Sequence, residues 1–290
     1  MIRYKSNSPA RSCGGGGNAA RRNFCDGIQA QKGGPHCRGN PGGRCAFGHY
    51  CQQPRRVSVR GRGAVKRYPI YLLDADETLF DFRRAEREAL RRVLERRGVP
   101  FTEELLLRYR EINEGLWRAL ERGEIQKDFL EVERFSRFLG ELGLPDDPAA
   151  VGTEEYPAEL ARGRDLLPGA LEVCRALAET SALYLVTNGI TRVQKARLRE
   201  SPLAPLIAGI FVSEEAGAAK PSPAYFDYVF ARIGEDRRRD CLIVGDSLTS
   251  DMAGGIAAGI DTCWYNPARR ALPPGMRVTF RISSLEQLLE

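Results

Sequence analysis

An α/β fold with a parallel-sheet core and one inserted all-helical block is what this 290-residue sequence predicts. Three observations predict it. Short apolar runs alternate with helix-like stretches from about residue 170 to the C-terminus, as strand–helix–strand crossovers require. The first strand-like run is followed instead by three consecutive amphipathic helices. Several apolar runs end abruptly in acids or hydroxyls, which puts polar chemistry at strand ends. Hydrophobic residues make up 42% and charged residues 28%, which excludes collagen, coiled coil and wholesale disorder. No run of about 18 apolar residues exists, so no membrane helix and no membrane partner are expected. The basic N-terminus has no apolar stretch behind it, so no secretory signal is expected either.

Ile70-Tyr71-Leu72-Leu73 is an apolar run ending in acids and reads as a buried strand. The pattern at 85–97 puts Ala85, Ala89, Val93 and Leu94 on one helical face. The pattern at 103–122 does the same with Leu105, Tyr109, Ile112, Leu116 and Leu120, and that at 127–142 with Phe129, Val132, Phe135, Phe138 and Leu142. They stop at Gly98, Gly123 and Gly143, as helix C-termini often do. A weaker fourth helix is expected at 154–162. Helices then follow at 170–180, 191–199, 223–233 and 251–258, with strands at 183–186, 210–212, 241–244 and 262–265. A last strand at 278–282 and helix at 284–289 end the chain. Such alternation implies a parallel sheet with right-handed crossovers, whose ligands bind at the carboxyl ends of the strands. The expected organisation is a core from 67–82 and 163–290, with 83–162 inserted as a helical cap over that edge.

Residues 1–66 are a different kind of sequence. They hold 13 Lys/Arg against one acid (Asp26), 13 of 30 glycines, five of eight cysteines and both histidines. The net charge there is +12, leaving 31 basic and 37 acidic residues in 67–290. Aliphatic residues are too sparse to offset the entropy of ordering, so a disordered extension is expected. Three readings remain. One is a basic arm for nucleic acid or another acidic surface. A second is a zinc site from Cys37, Cys45, His49 and Cys51, whose spacing fits no paired Cys-x₂-Cys pattern. The third, which we favour, is a misassigned start: a GTG codon at Val65 would begin the protein directly before the first strand. The body of the chain has no histidine, which excludes Ser-His and Cys-His nucleophile pairs there. Its dispersed Cys174, Cys241 and Cys263 suit a reducing cytoplasm.

Four segments at or after strand ends carry the polar chemistry. Asp74 and Asp76 lie two residues apart on extended chain and so point the same way, where like charges need a cation or proton between them. They also fit a plain polar strand-to-loop junction. Thr187-Asn188-Gly189 offers neutral donors for phosphate, or merely a helix cap. Lys220, fixed in extended backbone by Pro221, can neutralise phosphate, or be a solvated loop lysine. Asp246 ends the strand at 241–244, and Asp251 follows at the next helix start, where a favourable N-terminal charge also explains it. All four segments fall on one sheet edge. Carboxylates with hard oxygens suit Mg²⁺, and lysine, threonine and asparagine suit phosphoryl oxygens.

The ordered set Asp74-x-Asp76-x-Thr78, Thr187-Asn188, Lys220-Pro221 and Gly245-Asp246…Asp251 resembles the four motifs of the haloacid-dehalogenase-like (HAD) hydrolase superfamily. The resemblance covers about 67–290 and implies a Rossmann-like core with a C1-type helical cap; residues 1–66 have no counterpart in it. Asp74–Phe80, in which Glu77 replaces the usual glycine, is similar to the noncanonical pyrimidine 5′-nucleotidases (YjjG-like), as are Val212–Pro221 and Cys263-Trp264-Tyr265-Asn266.

The resemblance implies roles. Asp74 would form an aspartyl-phosphate, and Asp76 would act as general acid, then base. Lys220, Thr187 and the Asn188 backbone would hold the phosphoryl group. Mg²⁺ would sit on Asp74, the Asp76 carbonyl and Asp246, with Asp251 in support. The second acid, Asp76, argues against a true dehalogenase. The implied substrate is a small phosphorylated metabolite, most specifically a pyrimidine nucleoside monophosphate. The alternatives are phosphoglycolate or a sugar phosphate, or a noncatalytic nucleic-acid-binding protein. Candidate cap residues for specificity are Phe80, Phe82, Asn113, Trp117 and Lys127, each of which also suits core packing.

Overall fold

A computed structural model describes residues 67–290. The basic extension, its candidate zinc ligands and the Val65 start lie outside the described residues. Six strands are present: β1 (Ile70–Leu73), β2 (Ala182–Thr187), β3 (Ile207–Val212), β4 (Cys241–Gly245), β5 (Asp261–Tyr265) and β6 (Phe280–Ile282). Their order across the sheet is β3-β2-β1-β4-β5-β6, and every neighbouring pair is parallel. This is the α/β architecture expected. The continuous apolar runs in β1 and β4 follow from it, because helices cover both faces of a parallel sheet. Tyr71, Leu73, Leu242 and Val244 join one buried cluster, while Ile70, Leu72, Cys241 and Ile243 join the other.

Between β1 and β2 lie α1 (Phe82–Glu95), α2 (Glu103–Glu121) and α3 (Lys127–Glu141). A jointed stretch follows: α4 (Pro148–Ala150), a π-helical turn at Val151–Glu155, and α5 (Tyr156–Leu160). Then α6 (Ala170–Ala178) leads into β2. These three long helices end as expected, at Gly98, Gly123 and Gly143, each with positive φ. Their apolar faces pack around Tyr109, Phe135, Phe138 and Tyr156, with ring centroids 5.1–5.6 Å apart. Ile190 and Val193, just after β2, belong to the same cluster.

The later strands are connected by α7 (Thr191–Arg199), α8 (Ser213–Ala216), α9 (Pro223–Ile233) and α10 (Ala253–Ala257). Some boundaries differ from expectation for local reasons. The helix expected at 154–162 begins at Pro148, because Asp147 caps it by accepting from the Ala149 N–H at 3.0 Å. The helix expected at 251–258 starts as a π-helical turn at Leu248–Met252, where the Ser247 hydroxyl accepts from the Ser250 N–H. Strand β3 begins at Ile207 rather than 210; Ile207 pairs with Leu183, and a register shift then sets Gly209 opposite Tyr184. The last helix is only a 3-10 turn, Leu285–Leu288. No described helix is long and apolar enough to cross a membrane.

The crossover after β4 packs tightly on the sheet. A Cβ on Gly255 of α10 would lie 2.5 Å from Ile243 Cγ2 and 2.7 Å from Thr262 Cγ2. Both contacts are branched strand side chains with fixed rotamers, so overpacking outweighs the helix propensity gained. Gly255→Ala is expected to destabilise the protein by about 1–3 kcal/mol, read as a lower midpoint in urea.

Candidate active site

In this topology β1 pairs with β2 on one side and β4 on the other, so the strand order reverses at β1. Ligands of open parallel sheets bind beyond the strand ends at such a point. Asp74 follows β1 directly, and its N–H donates to the Val244 carbonyl at 2.9 Å. Asp246 follows β4, and Thr187 ends β2. The carboxylates of Asp74, Asp246 and Asp251 converge, with one oxygen from each lying within 4.8 Å of the others. Asp251 is buried, and one of its oxygens accepts from the Ser247 N–H at 3.1 Å. Gly245 makes room for it: a Cβ there would sit 2.2 Å from Asp251 Oδ2.

Lys220 is buried beside these acids. Its ammonium donates to Asp74 Oδ1 at 2.7 Å, Asp251 Oδ1 at 2.6 Å and the Val186 carbonyl at 2.7 Å. Asn188 fixes the lysine backbone from both sides: its Nδ2 donates to the Lys220 carbonyl at 2.8 Å, and its Oδ1 accepts from the Lys220 N–H at 2.9 Å. The Lys220–Pro221 peptide is cis. Burial works against the Lys220 charge, but Asp251 and Asp74 outweigh it and hold the ammonium well above its usual range. Burial also drives the Asp74 carboxyl up; Lys220 opposes this and Asp251 reinforces it.

Asp246 has no such partner. Burial, then the charges of Asp74, Asp251 and Glu77, push its carboxyl up to about 8. No described residue gives its carboxylate a hydrogen bond or ion pair. Three acids against one lysine leave negative charge to be neutralised, by oxygen ligands alone. Such a donor set fits a hard divalent cation such as Mg²⁺.

Asp76 is furnished differently. Its carboxylate is held from α7, where Arg197 Nη1 donates to Oδ1 and Gln194 Nε2 donates to Oδ2 at 2.6 Å. Asp74 and Asp76 thus have different hydrogen-bond partners, while the Asp76 charge still helps to raise the Asp74 carboxyl. Arg197 is fully buried, with its Nε on the Gly163 carbonyl at 2.6 Å and its guanidinium 4.6 Å from the Phe80 ring centroid. A cavity of about 770 Å³ joins these groups to the helices above. Asp74, Asp76, Thr187, Asn188, Lys220 and Asp246 line it, together with Phe82, Asn113, Trp117 and Arg134 from the inserted helices. That volume is within the range of about 300–1,000 Å³ for small-molecule sites.

The haloacid dehalogenase-like hydrolase family profile matches residues 68–259. The chain belongs to this family. It is 42% identical over 224 residues to the putative HAD-hydrolase YfnB of Bacillus subtilis, spanning 77% of this chain and 95% of YfnB. The crystal structure of magnesium-bound YfnB superposes with a TM-score of 0.73, covering 77% of this chain and 98% of that one. The pyrimidine 5′-nucleotidase PynA of Streptococcus pneumoniae is 35% identical over 77% of this chain and 94% of its own. YjjG of Escherichia coli, also a pyrimidine 5′-nucleotidase, is 34% identical over 74% of this chain and 93% of its own.

In this HAD hydrolase all seven site residues expected from the motifs line one cavity: Asp74, Asp76, Thr187, Asn188, Lys220, Asp246 and Asp251. The cap candidates divide. Phe82, Asn113 and Trp117 line the cavity. Phe80 is buried beneath Arg197 as core. Lys127 is committed elsewhere: its ammonium donates to the Asn188 and Gly189 carbonyls, both at 2.7 Å, and pairs with Glu214 at 2.9 Å. It ties the start of α3 to the loop after β2. Gln194, Arg197, Glu86 and Arg134 were not anticipated. Only the i, i+3 spacing of Gln194 and Arg197, which puts them on one helical face, was a usable signal.

Proposed function

We propose that this HAD hydrolase is a Mg²⁺-dependent phosphomonoesterase acting on pyrimidine nucleoside 5′-monophosphates through an aspartyl-phosphate. The observation that carries the reading is the contrast between two aspartates on one cavity. Asp74 stands among acids beside Lys220, and Asp76, two residues on, is held by Arg197 and Gln194. Two carboxyls with different surroundings suit nucleophile and acid–base roles respectively. That PynA and YjjG are pyrimidine 5′-nucleotidases supports the substrate class.

Asp74 attacks phosphorus, and Asp76 gives a proton to the departing 5′-oxygen. Asp76 then takes a proton from the water that cleaves the acyl phosphate. Thr187, the Asn188 N–H and Lys220 hold the phosphoryl oxygens. Asp74, Asp246 and the Asp76 carbonyl would hold Mg²⁺, supported by Asp251, and the ion would offset the repulsion between carboxylate and phosphate. The segments 67–82 and 163–290 serve as core and 83–162 as cap. The buried free thiols Cys174, Cys241 and Cys263 suit a cytoplasmic setting.

Phosphate release from UMP, dUMP, dTMP, purine monophosphates, phosphoglycolate and glucose 6-phosphate tests the reading. Pyrimidine monophosphates are expected to lead. A lead for phosphoglycolate or the sugar phosphate would keep the chemistry and replace the substrate. Chelation with EDTA is expected to lower turnover by about 100-fold or more, restored by Mg²⁺. The ion must displace the proton that Asp246 retains up to about pH 8, so Mg²⁺ affinity should rise with pH through neutrality. Calorimetry in two buffers of different ionisation enthalpy reads the released protons.

A further inference from the structure

Lys127, at the start of α3, is spent on the loop after β2. Its ammonium donates to the Asn188 and Gly189 carbonyls, both at 2.7 Å, and meets Glu214 Oε1 at 2.9 Å. An ammonium has three N–H donors, so these acceptors use it fully. Its side chain is 13% exposed. A cation so enclosed and so fully bonded has no donor left for a substrate.

The Asn188 carbonyl and the Gly189 N–H belong to one planar peptide unit. Its carbonyl end takes Lys127 and, at 3.3 Å, the Ser213 hydroxyl. Its N–H end donates to Thr187 Oγ1 at 3.0 Å. A hydroxyl has one hydrogen and two lone pairs. With a lone pair turned to the Gly189 N–H, the Thr187 hydrogen points elsewhere, and among the described residues it meets no acceptor. Thr187 lines the cavity. A cation on the carbonyl also strengthens the N–H as a donor, because hydrogen bonds in series polarise one another. Glycine at 189 leaves the backbone permissive, so the peptide's orientation depends on what grips its two ends. Glu214 extends the arrangement: it accepts from the Thr191 N–H at 2.9 Å, at the start of the helix that carries Gln194 and Arg197.

Building on the phosphomonoesterase reading, we propose that Lys127 is a positioning residue for phosphoryl transfer: it clamps the Asn188–Gly189 peptide, and that peptide aims the Thr187 hydroxyl hydrogen at the phosphoryl group. Lys127 belongs to the inserted helices and Thr187 to the sheet. The donor is therefore correctly aimed only while the start of α3 rests on the loop after β2. Lys127 itself touches neither phosphate nor base.

Lys127→Met in the full chain keeps the stem and removes the ammonium. Its kcat/KM is expected to fall about 10- to 100-fold, by the same factor on UMP and on p-nitrophenyl phosphate, and inhibition by inorganic phosphate should weaken with it. The last two carry no nucleoside, so a lysine that served only the grip on nucleotide would spare both. A loss confined to UMP overturns the proposal and leaves the phosphomonoesterase reading intact. Thr187→Val removes the hydroxyl itself. Combined with Lys127→Met it should cost no more than about the larger of the two single losses, since both changes act on one contact. Losses that multiply would make Lys127 merely structural and overturn the proposal as well. Should Lys127→Met fail to fold, Ser213→Ala removes the other donor to the Asn188 carbonyl and takes its place beside Thr187→Val, with a fall of about 2- to 5-fold expected. No turnover of either ester by the unaltered chain would overturn the phosphomonoesterase reading, and this link with it.

Discussion

Asp74→Asn is expected to abolish phosphate release, by on the order of 10⁴-fold or more, because no other group can take the nucleophile's place. Asp76, the nearest carboxyl in sequence, is held by Arg197 and Gln194. The fold should survive. The new amide keeps a partner for the Thr78 hydroxyl, which donates to Asp74 Oδ2 at 3.3 Å, and Lys220 keeps Asp251. Removing one of three crowded carboxylates also relieves repulsion on Asp246. The expected signature is lost turnover, no acid-stable phosphoenzyme on rapid quench, and a melting midpoint that does not fall. Loss of turnover with retained phosphoenzyme would place the nucleophile elsewhere.

Arg197→Met is expected to lower kcat for UMP by about 100- to 1,000-fold, the scale of acid–base catalysis, with a smaller change in KM. The guanidinium is fully buried and, among the described residues, bonds Asp76 and the Gly163 carbonyl and lies over the Phe80 face. Among the described residues it makes no hydrogen bond or ion pair with Thr187, Asn188 or Lys220. Its effect on chemistry must therefore pass through the direction in which Asp76 points. Leaving groups separate that from general damage. The 5′-oxygen of a nucleoside needs a proton to depart, whereas p-nitrophenolate does not. The variant should lose more kcat/KM on UMP than on p-nitrophenyl phosphate, and Asp76→Asn should show the same bias. Equal losses on both esters would reduce Arg197 to a structural role. Stability should fall as well, since Asp76 loses its cationic partner.

The strand-end chemistry was legible because a parallel sheet imposes a simple rule. Runs such as Leu72-Leu73 and Ile243-Val244 must be apolar throughout, so the first acid after each marks the open edge. Arg197 and Arg134 were hidden by the opposite circumstance. The helix TRVQKARLR carries four cationic side chains, and nothing local says which of them faces inward. Arg134 follows Glu133 in a helix rich in charge, one turn from Leu130 and Phe138, and the packing of α2 and the 148–155 stretch on that helix accompanies its burial. Lys127 looks like a solvated helix-start lysine until the fold delivers the Asn188 and Gly189 carbonyls to it. Periodicity says that a face exists; the partner that covers it comes from elsewhere in the chain.

Strand β1 lies in the middle of the sheet, yet the residues beside Ile70 are Ala182 and Cys241. During synthesis the central strand therefore emerges long before either neighbour exists. Meanwhile α1–α3, whose contacts are close in sequence, can settle first. Pairing across the long intervening loop is the slow kind of event in folding. The innermost strand is then the last part of the hydrophobic core to be covered. In pulsed hydrogen exchange during refolding, amides of α1–α3 should gain protection before those of Ile70–Leu73.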